Sequence, residues 1–219
     1  MNKKCPACNV VNFADATECV RCKAPLGGAE AVNVVGRSSK GSRILTRVII
    51  CTIVCFAAVF AFYFSLLVSA RSLSIEQRID TRKALAVLNE RGFSSEIFVL
   101  YHLAAFRAED NWLNATVAKE NAYAATNFPF AIVTLYPDFF TYPIDETERA
   151  AILLHESRHL VGEDEHDAYA YVWKHHNQLG WTKEKYESSV VWRNIRKQTK
   201  ENAPELFVCA DKEYGDCTE

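Results

Sequence analysis

One uncharged apolar stretch constrains this chain more than any other feature of its sequence. Residues 48–68 read VIICTIVCFAAVFAFYFSLLV, which is 21 residues without a charged side chain, a glycine or a proline. As an α-helix they would extend about 31 Å, roughly the thickness of the hydrocarbon core of a bilayer. VSA at 68–70 resembles a signal-peptide cleavage site, but the apolar run is too long and starts too late for one. The sequence predicts a single transmembrane helix over residues 44–69, with a buried core helix as the alternative.

Charged residues are distributed unevenly on the two sides of this stretch. Residues 1–47 carry eight Lys and Arg against three Asp and Glu, a net charge of +5. Residues 69–219 carry seventeen against twenty-four, a net charge of −7. Because basic residues beside a span favour the cytoplasmic side, the four between positions 37 and 47 predict a cytoplasmic N-terminus and an extracytoplasmic C-terminal domain. Four further basic residues between positions 71 and 83 reduce this contrast.

Four cysteines near the N-terminus have the spacing of a zinc site. Cys5 and Cys8 form one C-x2-C pair, Cys19 and Cys22 form a second, and ten residues separate the pairs. Two such turns can direct four thiolates at one tetrahedral Zn²⁺ ion. Because so short a segment cannot bury a core, the metal would supply most of its folding free energy. Two disulfides or a redox pair are the alternatives, and a reducing cytosol disfavours both.

Segment 1–26 resembles the small zinc-ribbon module at the N-termini of many bacterial membrane proteins. The matching features are the two C-x2-C knuckles, Asn12, and the APL that follows the last cysteine. Asn9 and Lys23 stand where the knuckles usually have glycine, and asparagine tolerates a left-handed backbone more readily than lysine does. The resemblance implies a ribbon that could contact a cytoplasmic protein partner. Arg21 and Lys23 are too few basic residues to indicate a nucleic-acid partner.

The remaining cysteines are consistent with this topology. Residues 27–43 are small and polar, which is typical of a flexible linker, and Cys51 and Cys55 lie in the apolar span as small apolar residues. Cys209 and Cys217 are the thiols beyond the span. In an oxidising compartment these two could form a disulfide that closes the C-terminal tail.

Residues 70–219 are sufficient for one compact outer domain, and its patterns indicate a mostly helical α+β fold. SIEQ at 74–77 is a capping box, and Gly92, Gly162 and Gly180 follow apolar helical runs as C-caps. Residues 93–128 are ambiguous, because EIFVLY suits a strand while the residues after it suit either state. The predicted helices cover residues 75–91, 146–161, about 164–178 and about 182–201, and a strand covers 130–137.

The sequence HESRH at 155–159 lies near the end of the helix predicted at 146–161. His155 and His159 would lie about 40° apart around the axis and about 6 Å apart along it, so both imidazoles can face one ion. Glu156 can then accept a proton from water that zinc activates, without ligating the metal itself. The motif alone is only moderately specific, but here it sits in an apolar helix that follows a strand.

In this context the domain resembles the zincin metallopeptidases, in which an active-site helix carries HExxH beneath a strand that binds extended substrate. The metzincin branch continues with a glycine and a third histidine, and this chain has Gly162 but Glu165 at the last position. The gluzincin branch takes a glutamate from a following helix, often as E-x-x-A, which EHDA at 165–168 matches. The chain has its one methionine at residue 1, so the metzincin Met-turn is absent. The resemblance therefore implies a compact gluzincin-like zinc site formed by His155, His159 and Glu165.

Other polar residues near the motif have competing interpretations. His166 and then Asp164 are rival third ligands, although a solvated helix start is the more usual role for both. Tyr169, one turn after Glu165, could donate a hydrogen bond to a developing oxyanion or could simply pack. For His175 and His176 the same two alternatives apply, a hydrogen bond to the oxyanion or simple packing. We expect a structural role for His102. For Arg158 we expect an ion pair with a nearby acid.

Three functional hypotheses follow from these residues. The first is a cell-membrane zinc metallopeptidase that uses Glu156 as general base on a protein or peptide substrate outside the cytosol. The second is a non-catalytic sensor or binding domain that is coupled to the cytoplasmic ribbon. The third is a structural fold whose histidines and acids form a surface network. Glu156 favours the first hypothesis, because a binding module needs no base beside its metal.

Overall fold

The computed structural model describes residues 2–27, 40–113 and 123–207, which divide into the compact units Met1–Ala57 and Ala58–Glu219. Part of the expected linker and both C-terminal cysteines, Cys209 and Cys217, lie outside the described residues. The proposed disulfide between these cysteines therefore stays a prediction.

The N-terminal unit begins with a small two-stranded hairpin. Strands β1 (Lys3–Lys4) and β2 (Val11–Asn12) pair antiparallel, with Lys3 opposite Asn12. Asn9 and Lys23 follow the two C-x2-C pairs with φ of 60° and 59°, the left-handed conformation expected at both knuckles. The backbone N–H groups of these two residues donate to the carbonyls of Cys5 and Cys19, which closes each turn.

Helix α1 (Lys40–Ser69) contains the apolar stretch. Its segment Arg43–Ser69 is, within the described parts of the chain, the one helix long and apolar enough to cross a membrane. The helix starts at Lys40, so the last residues of the expected linker 27–43 are helical. Most side chains of the span are exposed, while Leu66 in its last turns is fully buried within the second unit.

The second unit continues from α1 with seven shorter helices, three strands and a 3₁₀ turn among its described residues. Most of these elements are helical, as the sequence indicated. The elements are α2 (Ile75–Glu90), α3 (Ser94–His102), β3 (Ala105–Arg107), β4 (Ala124–Asn127), β5 (Ile132–Leu135), α4 (Pro137–Thr141), α5 (Glu146–Leu160), α6 (Glu165–Leu179), α7 (Lys183–Tyr186), α8 (Val190–Asn202) and the 3₁₀ turn Pro204–Phe207.

The three strands form one mixed sheet in the order β3-β5-β4. The central strand β5 pairs parallel with β3 and antiparallel with β4, with Val133 opposite Phe106 on one side and Thr126 on the other. All four residues of β5 are buried, including the polar Thr134, as expected for a central strand that is covered on both faces. Strand β4 is therefore an edge strand, and it packs against helix α5.

Helix α5 is the centre of the domain, because it packs against α2, α3, α6 and β4. Asp145 caps its N-terminus by accepting hydrogen bonds from the backbone N–H groups of Thr147 and Glu148. The five consecutive residues 150–154 are all buried, so this helix is covered on several sides. A helix surrounded in this way has its C-terminal residues held in place by the core.

Three tryptophans close the far side of the core between α6 and α8. The ring centroids of Trp173 and Trp192 lie 5.2 Å apart, and those of Trp181 and Trp192 lie 4.7 Å apart. All three side chains are fully buried. Large aromatic rings in this arrangement bury apolar area between α6 and α8.

Two sequence-based expectations about helices and strands were wrong. Residues 96–101, EIFVLY, suited a strand but lie in helix α3, because Phe93, Glu96 and Leu100 recur at helical spacing on its buried side. The single helix expected at about 182–201 is interrupted between Tyr186 and Val190. Ser189 causes this break, since its hydroxyl caps the new helix by accepting from the backbone N–H of Trp192.

Candidate metal centre

The last two turns of α5 carry the two histidines of the HESRH sequence, and four residues separate this helix from the next. The turn at 161–164 reverses the chain, so that Glu165, the first residue of α6, returns toward the histidines. Gly162 makes this turn with φ of +89°. A Cβ atom at Gly162 would lie 3.4 Å from the ring of Phe128, which is an ordinary contact, so the positive φ alone disfavours a larger residue here.

Three potential ligand atoms converge at this point. The Nε2 atoms of His155 and His159 lie 3.0 Å apart. The carboxylate oxygens of Glu165 lie 3.3 Å from Nε2 of His155 and 3.5 Å from Nε2 of His159. Both imidazoles are largely buried, whereas 60% of the Glu165 side chain is exposed, so the group opens to solvent at the carboxylate.

These separations fit a tetrahedral zinc ion. Zinc binds imidazole nitrogen and carboxylate oxygen at about 2.0–2.2 Å, which places ligand atoms about 3.4 Å from one another in a tetrahedron. The three distances of 3.0, 3.3 and 3.5 Å bracket that value. Two histidines and one glutamate also form a donor set that catalytic zinc sites use, with the fourth position left for water or substrate.

Backbone geometry fixes the ring of one histidine. The Nδ1 atom of His159 donates to the carbonyl oxygen of Glu163 at 2.9 Å, which leaves its Nε2 lone pair free to face an ion. Nδ1 of His155 is buried without a hydrogen-bond partner among the described residues. The ring of His155 instead packs against Tyr169, with centroids 4.3 Å apart. Tyr169 therefore lies at the candidate site, in contact with the ring of His155.

The charges of the group reinforce one another. Hydrogen bonds from His155 and His159 hold the pKa of Glu165 far below its usual range. Burial opposes a charge on His159, but its hydrogen bonds to Glu165 and to the Glu163 carbonyl raise its pKa to about 9. An ionised carboxylate beside two imidazoles is an arrangement in which a divalent cation can replace bound protons.

A second group of side chains supports the turn between the helices. Arg158 pairs with Glu163 through both Nε and Nη2, and its Nη1 lies 3.2 Å from Oε1 of Glu96. Tyr171 donates to the same oxygen of Glu96 at 2.7 Å, and its ring lies 4.2 Å from the guanidinium carbon of Arg158. The expected ion pair of Arg158 with a nearby acid is confirmed. This ion pair fixes Glu163, and the backbone carbonyl of Glu163 accepts the hydrogen bond from His159.

Glu156 is not one of the three converging ligands. It is only 4% exposed, and its Oε2 accepts a hydrogen bond of 2.7 Å from Thr126 Oγ1 on the edge strand β4. The carboxylate of Glu156 is therefore buried and held by a strand hydroxyl, one position after His155 in sequence.

The rival ligands have other partners. Nδ1 of His166 lies 2.9 Å from Asp167, and its Nε2 lies 2.9 Å from Glu205. Asp164 caps α6 by accepting from the backbone N–H of Asp167. These contacts correspond to the solvated helix start that was the alternative for both residues.

The remaining histidines have packing roles in the described structure. His175 Nδ1 lies 2.8 Å from the carbonyl oxygen of Tyr171, and His176 contacts the carbonyl oxygen of Trp173 in the same helix. His176 also stacks on Trp173, with centroids 5.2 Å apart. His102 lies against Phe98, with centroids 4.8 Å apart.

The four N-terminal cysteines form a second cluster. Their sulfur atoms all lie within 4.8 Å of one another, with 3.6 Å between Cys5 and Cys22 and 3.4 Å between Cys8 and Cys19. Thiolates around one zinc ion at about 2.3 Å would be about 3.8 Å apart. The backbone N–H group of Cys22 lowers the pKa of Cys19 to about 6, so a thiolate is favoured there. Asn12 braces the loop by accepting from the backbone N–H of Val20 at 2.9 Å.

Three residues that support the candidate site escaped the sequence analysis. Thr126 holds Glu156, the carbonyl of Glu163 holds His159, and Glu96 holds Arg158 from another helix. A backbone carbonyl has no sequence signal. Glu96 in EIFVLY could have been recognised from the sequence, because a buried acid within an apolar run requires a partner.

Comparison with known proteins identifies the N-terminal segment. Residues 4–27 match the family described as "Zn-finger in Ran binding protein and others". No curated protein and no solved structure is similar enough to the chain to match. The match and the four converging cysteines together show that the N-terminal segment is a zinc ribbon whose cysteine cluster binds zinc.

Proposed function

We propose that this protein is a zinc-dependent metallopeptidase, anchored in the cell membrane by α1 and active outside the cytosol. The proposal is supported chiefly by one arrangement: His155, His159 and Glu165 converge as ligands, while Glu156 stays outside them, buried and held by Thr126. A purely structural cluster or a binding module has no need of Glu156 as a second carboxylate beside the three converging residues. The zincin-like character of the domain is part of this proposal.

Each residue then has a role in hydrolysing a peptide bond. A bound zinc ion would lower the pKa of water and polarise the substrate carbonyl. The carboxylate of Glu156 accepts a proton from the attacking water and delivers it to the leaving amine. Thr126 donates to Oε2 of Glu156, which directs the carboxylate and leaves its other oxygen to carry the proton. Tyr169, beside His155, is the candidate donor to the developing oxyanion.

The edge strand offers a place for an extended substrate. Strand β4 packs against the metal-bearing helix, and its outer edge pairs with no strand within residues 2–27, 40–113 and 123–207. A peptide added along this edge would form main-chain hydrogen bonds next to Thr126 and hence next to Glu156. Such binding recognises the peptide backbone rather than particular side chains, which suits a protein or peptide substrate.

The candidate site also lies close to the end of α1. Phe128 lies beside Gly162 in the turn after the histidines, since a Cβ atom there would be 3.4 Å from its ring. Phe130 in the same loop packs against Phe62 of α1, with centroids 5.4 Å apart. A single short loop thus connects the site to the helix that we propose spans the membrane. This proximity supports action on substrates at the membrane surface.

The test is the variant Glu156→Gln in the full chain, purified in neutral detergent. We expect it to keep its zinc while peptide hydrolysis falls by about 10²–10⁴-fold, the contribution of a general base. Glu146→Gln is the matched control, because it neutralises a half-buried carboxylate in the first turn of the same helix, where Glu146 pairs with Lys83. If wild-type protein with zinc at the histidines cleaves no member of a broad peptide library, the domain is a sensor or binding module.

A further inference from the structure

A separate cavity lies among the first helices of the domain. It has a volume of about 270 Å³ and is bordered by α2, α3, β3 and the residues Ser72 and Leu73 that follow α1. Leu85, Leu100 and Phe106 form an apolar part of its wall. None of these residues takes part in the candidate metal centre.

The cavity has a strongly positive rim. Arg78, Arg82 and Arg107 line it, and no acidic residue is among the lining side chains that the structure describes. Nε of Arg78 donates to the carbonyl of Leu73 at 3.1 Å, and Nη1 of Arg107 donates to the carbonyl of Phe106 at 2.9 Å. Because backbone carbonyl oxygens are uncharged acceptors, these hydrogen bonds orient the guanidinium groups without neutralising their positive charge. Within the described residues, no carboxylate forms an ion pair with any of the three.

The cavity also adjoins the end of the apolar helix. Arg107 reaches back to the last turns of α1, with its Nε 3.4 Å from the carbonyl oxygen of Leu67. The backbone of Ser72 forms an isolated antiparallel bridge with Arg107. The positive rim is therefore within one side-chain length of the point where the proposed span ends, which is the level of lipid phosphates in a bilayer.

The half-exposed Trp112 also lies beside the last turns of α1, near the end of the proposed span. Nε1 of Trp112 donates to Ser65 Oγ at 3.3 Å, and its ring packs edge-on against Phe62, with centroids 5.7 Å apart. Half of the Trp112 side chain remains exposed. Tryptophans at membrane interfaces sit at the headgroup level, with an apolar body and a polar tip.

We propose that this cavity binds the headgroup of an anionic phospholipid. The phosphate lies against the three arginines, which favour phosphate oxygens through paired N–H groups. The glycerol region enters the apolar part, and the acyl chains remain in the bilayer beside α1. A volume of 270 Å³ holds about nine water-sized groups, enough for a phosphate and glycerol but too small for two acyl chains. The inference rests on the proposed membrane span and is independent of hydrolysis.

The experiment measures lipid binding to the full chain in neutral detergent by native mass spectrometry. Phosphatidylglycerol and phosphatidylcholine with identical acyl chains are titrated separately, and excess inorganic phosphate is added in a third arm. We expect saturable binding of one phosphatidylglycerol, at least tenfold tighter than phosphatidylcholine. The double variant Arg78→Gln/Arg82→Gln should weaken it by about thirtyfold, since each basic residue near a lipid phosphate contributes roughly a factor of five.

Two controls make the outcome decisive. Arg193→Gln/Lys200→Gln removes the same charge from exposed positions on α8 and should leave lipid binding unchanged. Ala104→Leu narrows the cavity without changing its charge and should weaken binding too. The proposal is overturned if the double arginine variant binds as tightly as wild type, if both lipids bind equally, or if inorganic phosphate displaces the lipid. The last result would show a small-anion site, and none of these results bears on the metallopeptidase proposal.

Discussion

His159 and Glu163 are joined by a hydrogen bond of 2.9 Å between the imidazole Nδ1 and the backbone carbonyl oxygen. This contact determines which nitrogen of His159 faces the other two ligand atoms. The side chain of Glu163 is in turn held by Arg158, the residue before His159 in sequence. The orientation of this candidate metal ligand therefore depends on the ion pair between Arg158 and Glu163. The variable residues inside the HExxH motif are thus part of the support for the site.

The first prediction concerns Arg158. Replacing it by alanine releases Glu163 and leaves Glu96, which is 7% exposed, without its cationic partner. We expect zinc affinity at the histidines to fall by about 10–100-fold, the usual effect of losing a residue that supports a metal ligand. Competition with a fluorescent chelator measures this, and Arg149→Ala on the same helix is the control. Unchanged affinity would show that the ion pair does not position His159.

The second prediction concerns Thr126. Thr126→Val removes the hydroxyl that donates to Glu156 while keeping the shape of the side chain. We expect kcat for peptide hydrolysis to fall by roughly tenfold, the effect of losing a hydrogen bond to a charged group, while zinc content stays constant. Thr126→Ser restores the donor and should recover most of the rate. If serine and valine variants behave alike, Thr126 contributes packing alone.

The third prediction is a pH dependence of stability at the start of α5. Burial opposes the charge of Asp145, but hydrogen bonds from Tyr186 and Lys185 outweigh it and hold its pKa below the usual range. Because the folded pKa lies below the unfolded one, this stabilisation is present at neutral pH and disappears as the pH falls below about 4. Asp145→Asn keeps a good helix cap but cannot ionise. The difference in free energy of unfolding between wild type and variant should therefore shrink as the pH falls; a constant difference would contradict this account.

The fourth prediction concerns a buried carboxylate under α8. Glu148 is fully buried and accepts hydrogen bonds from the Ser189 hydroxyl and, at 2.9 Å, from the backbone N–H of Ile144. Ser189→Ala removes one of these donors and also the cap of α8. We expect a loss of about 2 kcal/mol in the free energy of unfolding, measured by denaturant titration. Ser188→Ala, one residue earlier and exposed, should change it by less than about 0.5 kcal/mol.

The fifth prediction concerns the ribbon knuckles. Lys23 adopts φ of 59°, a left-handed conformation that costs a non-glycine residue about 1–2 kcal/mol. Because folding of so small a module is coupled to metal binding, Lys23→Gly should raise its zinc affinity by roughly tenfold. Asn9→Gly should have a smaller effect, since asparagine tolerates this conformation. Equal affinities for Lys23→Gly and wild type would show that the knuckle is unstrained.

The sequence predicted those features of the structure that depend on residues close together in the chain. It did not predict features that depend on contacts between distant residues. The positions of His155, His159 and Glu165 follow from helix periodicity and a short turn, so local rules account for the convergence of these three side chains. The break before Val190 depends on Ser189 reaching Glu148, 41 positions earlier, which no local pattern encodes. Helix α3 was misread for the same reason, because Glu96 is buried only through its contacts with Arg158 and Tyr171.

Zinc content of the full chain tests the central claim most directly. Elemental analysis of the purified protein is compared for wild type, for His155→Ala/His159→Ala and for Cys5→Ser/Cys8→Ser. The account predicts that the histidine variant loses one equivalent of zinc while the cysteine variant loses a different one, since the two ligand sets share no residue. If the histidine variant carries as much zinc as wild type, His155, His159 and Glu165 hold no metal and the peptidase proposal fails.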